Sequence, residues 1–123
     1  MRQNLALTIS SLVSLVLTTL HIADDIMHVP SDMDTTGTII ILTIMVVLLY
    51  ATVELAGRRT GYVILLLGGL AALYMPFLHP LGPRATRWGF FFVWTLIALG
   101  VSGAFTAILA GSALWRSFRR RPA

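Results

Sequence analysis

Four long blocks of apolar residues, almost free of charge, constrain the fold of this chain more than any other feature. Crossing ~30 Å of hydrocarbon as an α-helix takes roughly 20 apolar residues. The four blocks meet that requirement and run over about residues 5–23, 37–56, 61–78 and 88–115. Helices are the expected spanning elements, because a short chain of apolar blocks cannot close a barrel. The sequence therefore predicts an all-α integral membrane protein, a single domain (1–123) built as a four-transmembrane-helix up-down bundle.

Composition supports a membrane protein and excludes several kinds of chemistry. Only 11% of the 123 residues are charged and 57% are hydrophobic, whereas about a quarter of a soluble domain is charged. The chain has no cysteine, which excludes disulfides, thiolate metal sites and cysteine nucleophiles. All nine basic residues are arginine, so Schiff-base chemistry on lysine is excluded as well. The first block is expected to be a retained span, because "LTTLHIADD" offers no small-x-small signal-peptide cleavage site.

The arginines predict the orientation of the spans. With four spans, seven of the nine fall on one side of the membrane: Arg2, Arg58, Arg59, Arg116, Arg119, Arg120 and Arg121. Because cytoplasmic loops carry the excess of positive charge, both termini are expected to be cytoplasmic, in an inner or plasma membrane. Topology thus accounts for the net charge of +4, and no nucleic-acid partner is expected.

The basic segment after the fourth span is predicted to contact anionic lipid. Near a membrane surface, each arginine contributes roughly 1 kcal/mol of attraction to anionic headgroups. The arginines concerned are Arg116, Arg119, Arg120 and Arg121. Positive-inside topology alone is the alternative explanation of this cluster, and the lipid bilayer is the expected partner in either case.

Polar residues follow one face of the first span at helical spacing. At 100° per residue, one stripe holds Ala6, Ser10, Ser14, Thr18, His21, Asp25 and His28. Small and hydroxyl residues allow close helix approach and hydrogen bonds between helices, so Ser10 and Ser14 are predicted to pack inside the bundle.

The outer end of this stripe is rich in metal-ligand side chains. His21 and Asp25 (i, i+4) or Asp25 and His28 (i, i+3) are spaced to share one ion, with Asp24 as a further candidate. His79, at the outer end of the third span, is expected to supply a ligand from a second helix. Two histidines and a carboxylate suit zinc, iron or copper, and a haem role also stays open. The alternatives are a solvated polar helix end, and a proton-relay or substrate-binding site without metal.

The second span carries its own sparse polar line, which ends at the cytoplasmic side. Glu54 is expected to pair with Arg58 (i, i+4) on a continuing helix. A second interpretation makes Tyr50 and Glu54 the inner end of a proton path from the outer aspartates, since ionisable groups within spans often mark such paths.

Small residues in the fourth span predict close helix packing. Gly103, Ala107 and Gly111 recur at i, i+4 and i+8, a small-xxx-small ridge. Such a ridge packs helices within one protomer or between protomers, so a homo-oligomer or a larger membrane complex is an expected assembly.

Three functions fit these observations, and enzymatic activity is left open by them. The first is a small polytopic membrane protein with an extracytoplasmic His/Asp site for a metal or haem. The second is a non-catalytic small subunit or homo-oligomeric scaffold of a membrane complex. The third is a proton-coupled small transporter that uses Asp24, Asp25 and Glu54.

Overall fold

The computed structural model of the chain is all-helical and describes residues 2–28, 35–78 and 89–119, with side chains over 4–27, 35–77 and 89–119. It has four helices: α1 (Arg2–His28), α2 (Thr35–Val53), α3 (Arg59–Leu78) and α4 (Phe90–Arg119). Each is long and apolar enough to cross a membrane. The shortest, α2, has 19 residues and so spans about 29 Å at 1.5 Å per residue. The four predicted helices are confirmed, and they indicate a multi-pass membrane protein.

The contacts between helices define two ends of the molecule. Asn4 near the start of α1 accepts a hydrogen bond from Tyr62 near the start of α3 (2.9 Å), so these two helices begin at the same end. His21 near the end of α1 contacts Thr95 near the start of α4, so α1 and α4 run antiparallel. We call the two ends of the molecule the Arg59 end and the His21 end.

The helices do not share the interior equally. The largest interface joins α3 to α4, the next joins α1 to α4, and α2 packs less extensively on α1 and α3. An apolar core fills the Arg59 end of the bundle, where its buried members are Leu7, Ala51, Tyr62, Leu65, Ala110 and Ala113. Bulky aliphatic and aromatic side chains cover the outside of all four helices, as expected where lipid is the solvent.

The α2–α3 connection is a tight turn that ends α2 earlier than the sequence pattern predicts. The Leu55 carbonyl accepts a hydrogen bond from the Arg58 amide (3.0 Å), which closes the turn. Gly57 has a φ of 83°, a left-handed conformation that side chains with a Cβ adopt at a cost. The expected continuous helix from Glu54 to Arg58 is therefore wrong, because the turn intervenes between the two residues.

Candidate functional site

The candidate site lies at the His21 end, where a histidine of α1 is enclosed by α4. His21 is only 4% exposed, although it stands near the end of its helix. Its Nδ1 lies 3.3 Å from Oγ1 of Thr95, which is fully buried on α4. Its ring centroid lies 4.7 Å from that of Phe92, at a tilt of 44°. A ring contact on one side and a hydrogen bond at one nitrogen fix the orientation of the imidazole.

The hydrogen bonds of Thr95 decide which nitrogen of His21 carries the proton. A threonine hydroxyl has one hydrogen to donate, and Thr95 donates it to the carbonyl of Phe92 (2.9 Å). With that hydrogen on the carbonyl, Oγ1 is an acceptor toward Nδ1 of His21, and this contact then favours the tautomer with its hydrogen on Nδ1. In a neutral imidazole the lone pair is then on Nε2.

Nε2 faces a carboxylate on the same helix. Oδ2 of Asp25, one turn further along α1, lies 3.9 Å from Nε2, and the Asp25 side chain is 29% exposed. A nitrogen lone pair and a carboxylate oxygen repel each other unless a cation lies between them. The separation exceeds the 2.7–3.2 Å of an ordinary hydrogen bond. Two metal–ligand bonds of roughly 2.0–2.2 Å can span it.

The other predicted metal ligands are not brought into this pair by the part of the chain that is described. Asp24 is half-buried beside it on α1. His28 is the last residue of α1 and its side chain lies outside the described set, as does all of His79. Among the described residues, no group of three or more His, Asp or Glu side chains lies close enough together to hold a metal.

Between His21 and the Arg59 end, hydroxyl groups join α1 to α4 along the predicted stripe. We call this set, Ser10, Ser14, Ser102 and Thr106, the hydroxyl seam. Ser10 Oγ lies 2.8 Å from Oγ1 of Thr106, and Ser14 donates to Oγ of Ser102 (3.0 Å). Ser10 and Ser14 thus contact α4, in the role that their spacing predicts. A separate hydroxyl pair, Ser11 with Thr52 (2.7 Å), joins α1 to α2.

The residues proposed for the inner end of a proton path lie away from this hydroxyl seam. Tyr50 is 55% exposed on α2, and Glu54 is exposed in the turn that follows. Arg58 is exposed as well, and the turn at Gly57 separates it from Glu54.

The small-residue ridge of α4 packs on α3 of the same chain. A Cβ at Gly103 would lie 2.7 Å from the backbone nitrogen of Leu73 and 2.8 Å from the carbonyl oxygen of Gly69. A Cβ at Gly69 would in turn meet the backbone of Ala107 at 2.7 Å. At Gly111 the space is wider, with Leu66 3.7 Å away. The ridge is therefore used within the protomer at Gly103 and Ala107.

The arginines of the Arg59 end are partly held by α4. Arg59 donates to the carbonyl of Ser117 (2.7 Å) and lies over the ring of Phe118, 5.1 Å from its centroid. Arg119 lies 5.0 Å from the centroid of Trp115. Arg116 is exposed and bonds back to Ser112, whereas Arg120 and Arg121 lie outside the described residues.

Sequence reasoning missed the α4 partners of the α1 stripe. Thr95, Ser102 and Thr106 follow one another at spacings of 7 and 4, so they form a polar line of their own. This line lies beside the glycine ridge, since Ser102 precedes Gly103 and Thr106 precedes Ala107. The signal was present in the spacing, but the identity of each partner depends on how α1 and α4 are staggered.

Comparison with known proteins adds no relative, since no family model, no curated protein and no solved structure matches the chain. The candidate site rests on the geometry and chemistry of its own residues.

Proposed function

We propose that the chain is a small multi-pass protein of an inner or plasma membrane, with both termini cytoplasmic, whose His21–Asp25 pair binds one transition-metal ion at the outer face. The orientation rests on the arginines, most of which fall at the Arg59 end. In this orientation, His21 and Asp25 lie at the extracytoplasmic end of α1.

The observation that carries the proposal is the way His21 Nε2 faces Asp25. With the imidazole hydrogen on Nδ1, next to Thr95, Nε2 directs a lone pair toward a carboxylate oxygen 3.9 Å away. This arrangement of a second-shell acceptor, a histidine and a metal is common in metalloproteins, because the outer hydrogen bond fixes the tautomer and the ring. A tetrahedral ion would need the two ligand atoms about 3.4 Å apart. A small rotation of the partly exposed Asp25 side chain provides that shift.

The ligand types indicate which ion is bound. One imidazole nitrogen and one carboxylate oxygen suit zinc, iron or copper better than magnesium or calcium, which prefer oxygen alone. Two protein ligands leave coordination positions of the ion open for water, for an exogenous ligand, or for His28 and His79, the further ligands that the sequence predicts. The site suits an ion rather than haem, because His21 is buried and Asp25 lies 3.9 Å from its Nε2, which leaves no room beside that nitrogen for a porphyrin.

The Arg59 end suits the same orientation through its pairs of arginine and aromatic residues. Arg59 and Arg119 lie over the rings of Phe118 and Trp115, and such aromatic residues favour the membrane–water interface. Exposed guanidinium groups next to them suit the anionic headgroups of a cytoplasmic leaflet. We propose that Arg116 and Arg119, with Arg120 and Arg121 beyond them, make this contact.

A cobalt titration of the purified protein tests the metal site. Co²⁺ replaces zinc at nitrogen and oxygen sites and gives a visible absorption band. Wild type is expected to bind about one ion per chain, and His21→Gln and Asp25→Asn are expected to bind more weakly by a factor beyond the 10–100-fold typical of a lost second-shell partner. Asp24→Asn removes the same charge beside the pair and serves as the matched control.

Two results would overturn the proposal. The first is no saturable Co²⁺, Zn²⁺ or Cu²⁺ binding by wild type. The second is an equal loss in Asp24→Asn and Asp25→Asn, which would mean that surface charge rather than a defined ligand attracts the ion.

A further inference from the structure

A partly open cavity of about 140 Å³ lies between the helices, between the His21–Asp25 pair and the apolar core. All four helices contribute to its lining, which includes Leu15, Thr18, Met45, Leu48, Met75 and Leu99. An engineered cavity of about 150 Å³ in a protein core stays free of water and binds benzene. The volume of this cavity therefore suits one ring-sized group.

The chemistry of the cavity wall is mostly aliphatic, with hydroxyl groups on the α1 and α4 side. Thr18 donates its hydroxyl hydrogen to the carbonyl of Ser14 (2.8 Å). Thr106 donates to the carbonyl of Ser102 (3.0 Å). Both hydroxyl hydrogens thus go to the helix backbone, and what these two groups have left to offer is oxygen lone pairs.

The hydroxyl hydrogen of Ser11 is also used within the protein, in a hydrogen bond to Thr52. Thr52 donates to the carbonyl of Leu48 (2.7 Å), so Ser11 is the donor in its contact with Thr52. The hydroxyls of Ser11, Thr18 and Thr106 are consequently acceptors toward anything in the cavity. A guest with a hydrogen to donate gains from this wall, and a guest with acceptors alone does not.

We propose that this cavity binds a lipid-soluble molecule with a ring-sized apolar body and one O–H donor, a phenol-like molecule, whose hydroxyl donates to Oγ1 of Thr18. Thr18 is the cavity hydroxyl nearest to the His21 end, one turn before His21 on α1. Met45 and Leu48 of α2 form one wall, and the cavity is partly open, which gives a guest a way in. The proposal is independent of the metal site, because it uses neither His21 nor Asp25.

Fluorine NMR of the protein in lipid nanodiscs, with 4-fluorophenol and 4-fluorotoluene as probes, tests the proposal. Empty nanodiscs correct for partition into lipid. We expect saturable binding of about one 4-fluorophenol per chain, roughly 3- to 10-fold tighter than 4-fluorotoluene, the gain typical of one hydrogen bond. Thr18→Val keeps the shape and removes the acceptor, so it is expected to equalise the two affinities.

Two further variants separate the cavity from its surroundings. Thr19→Val is the matched control, because Thr19 makes the same bond to its own helix (2.9 Å, to Leu15) but faces outward. It is expected to keep the preference for the phenol. Met45→Trp fills the cavity from α2 and is expected to abolish binding of both probes, with circular dichroism confirming that the protein is folded.

Three results would overturn the proposal. They are no saturable binding of either probe to wild type, equal affinity for both probes in wild type, and a preference for the phenol that survives Thr18→Val.

Discussion

The two nitrogens of His21 have different surroundings, and this difference gives the site its chemistry. Nδ1 faces a hydroxyl whose own hydrogen is already committed, and Nε2 faces a carboxylate. The ring is buried against Phe92. Its neighbour at Nδ1 belongs to α4, whereas the histidine and the carboxylate both belong to α1.

Replacement of Thr95 by valine tests the control of the tautomer. Thr95→Val keeps the shape of a fully buried side chain and removes the acceptor for Nδ1–H. The affinity for metal is expected to fall about 10–100-fold, the usual effect of losing a second-shell partner. Thr43→Val, on the exposed face of α2, is the matched control and should leave affinity unchanged. Equal affinities of wild type and Thr95→Val, measured by Co²⁺ titration, would contradict this role.

The sequence predicts the part of the site that belongs to α1. Helical spacing alone placed Ser10, Ser14 and His21 on one face, and the structure directs all three toward α4. Helical spacing could not reveal Thr95 or Phe92, because a contact between helices depends on their relative stagger and rotation, which no local pattern encodes. The metal-binding role of the pair stays a prediction.

At the scale of the helices, close backbone contact between α3 and α4 gives the bundle its tightest interface. Gly69 and Gly103 lie against each other's backbones, where a Cβ would approach to within 3 Å. Such contacts favour helix association in membranes through dispersion and weak hydrogen bonds. The spacing in α4 predicts the ridge, but it does not predict which residue of α3 packs on it. Gly68 and Gly69 are adjacent in α3 and face different helices. Gly69 faces the ridge of α4, whereas Gly68 faces Leu48 of α2.

Alanine substitutions at two glycines of α4 test this interface. Gly103→Ala would force the backbones of α3 and α4 apart and is expected to destabilise the fold by about 1–3 kcal/mol, the usual cost of overpacking. Gly111→Ala places its Cβ in ordinary contact with Leu66 and should be close to neutral. Unfolding in mixed micelles, followed by circular dichroism, measures both. Equal stability of the two variants would contradict the packing described for Gly103.

The ends of the helices were the least predictable part of the fold. Hydropathy placed the end of α2 near residue 56, but the structure ends it at Val53 and forms a turn with Gly57 in a left-handed conformation. The apolar pattern does not distinguish a helix from a turn there, because Leu55 and Ala56 are apolar in both. At the C-terminal end of α1, the apolar block stops near residue 23, but the helix continues past Asp24 and Asp25 to His28. Charged residues therefore mark the end of an apolar block but not the end of the helix.

On the scale of the whole molecule, the two ends differ in chemistry. The Arg59 end carries an apolar core beneath arginines and interfacial aromatics, whereas the His21 end carries a buried histidine with aspartates. Between them the hydroxyl seam and the cavity interrupt the apolar packing. This asymmetry matches the proposed orientation, in which lipid headgroups hold one end and the other faces the extracytoplasmic side.

Single-cysteine labelling tests the orientation, and the absence of native cysteine makes it direct. Thr60 near the start of α3 and Gly89 just before α4 are both exposed and lie at opposite ends. In intact cells, Gly89→Cys should react with a membrane-impermeant maleimide and Thr60→Cys should not. In inverted vesicles the pattern should reverse. Labelling of Thr60→Cys alone in intact cells would place both termini outside.

Coordination of a metal ion by His21 Nε2 is tested most directly by X-ray absorption at the K-edge of zinc bound to the protein. The wild-type spectrum is expected to show the outer-shell scattering of imidazole, with metal–nitrogen and metal–oxygen bonds of about 2.0–2.2 Å. His21→Gln is expected to lose the scattering of one imidazole ring, whereas Asp24→Asn is expected to keep it. A wild-type spectrum of oxygen ligands alone, or the same imidazole scattering in His21→Gln as in wild type, would contradict coordination by His21.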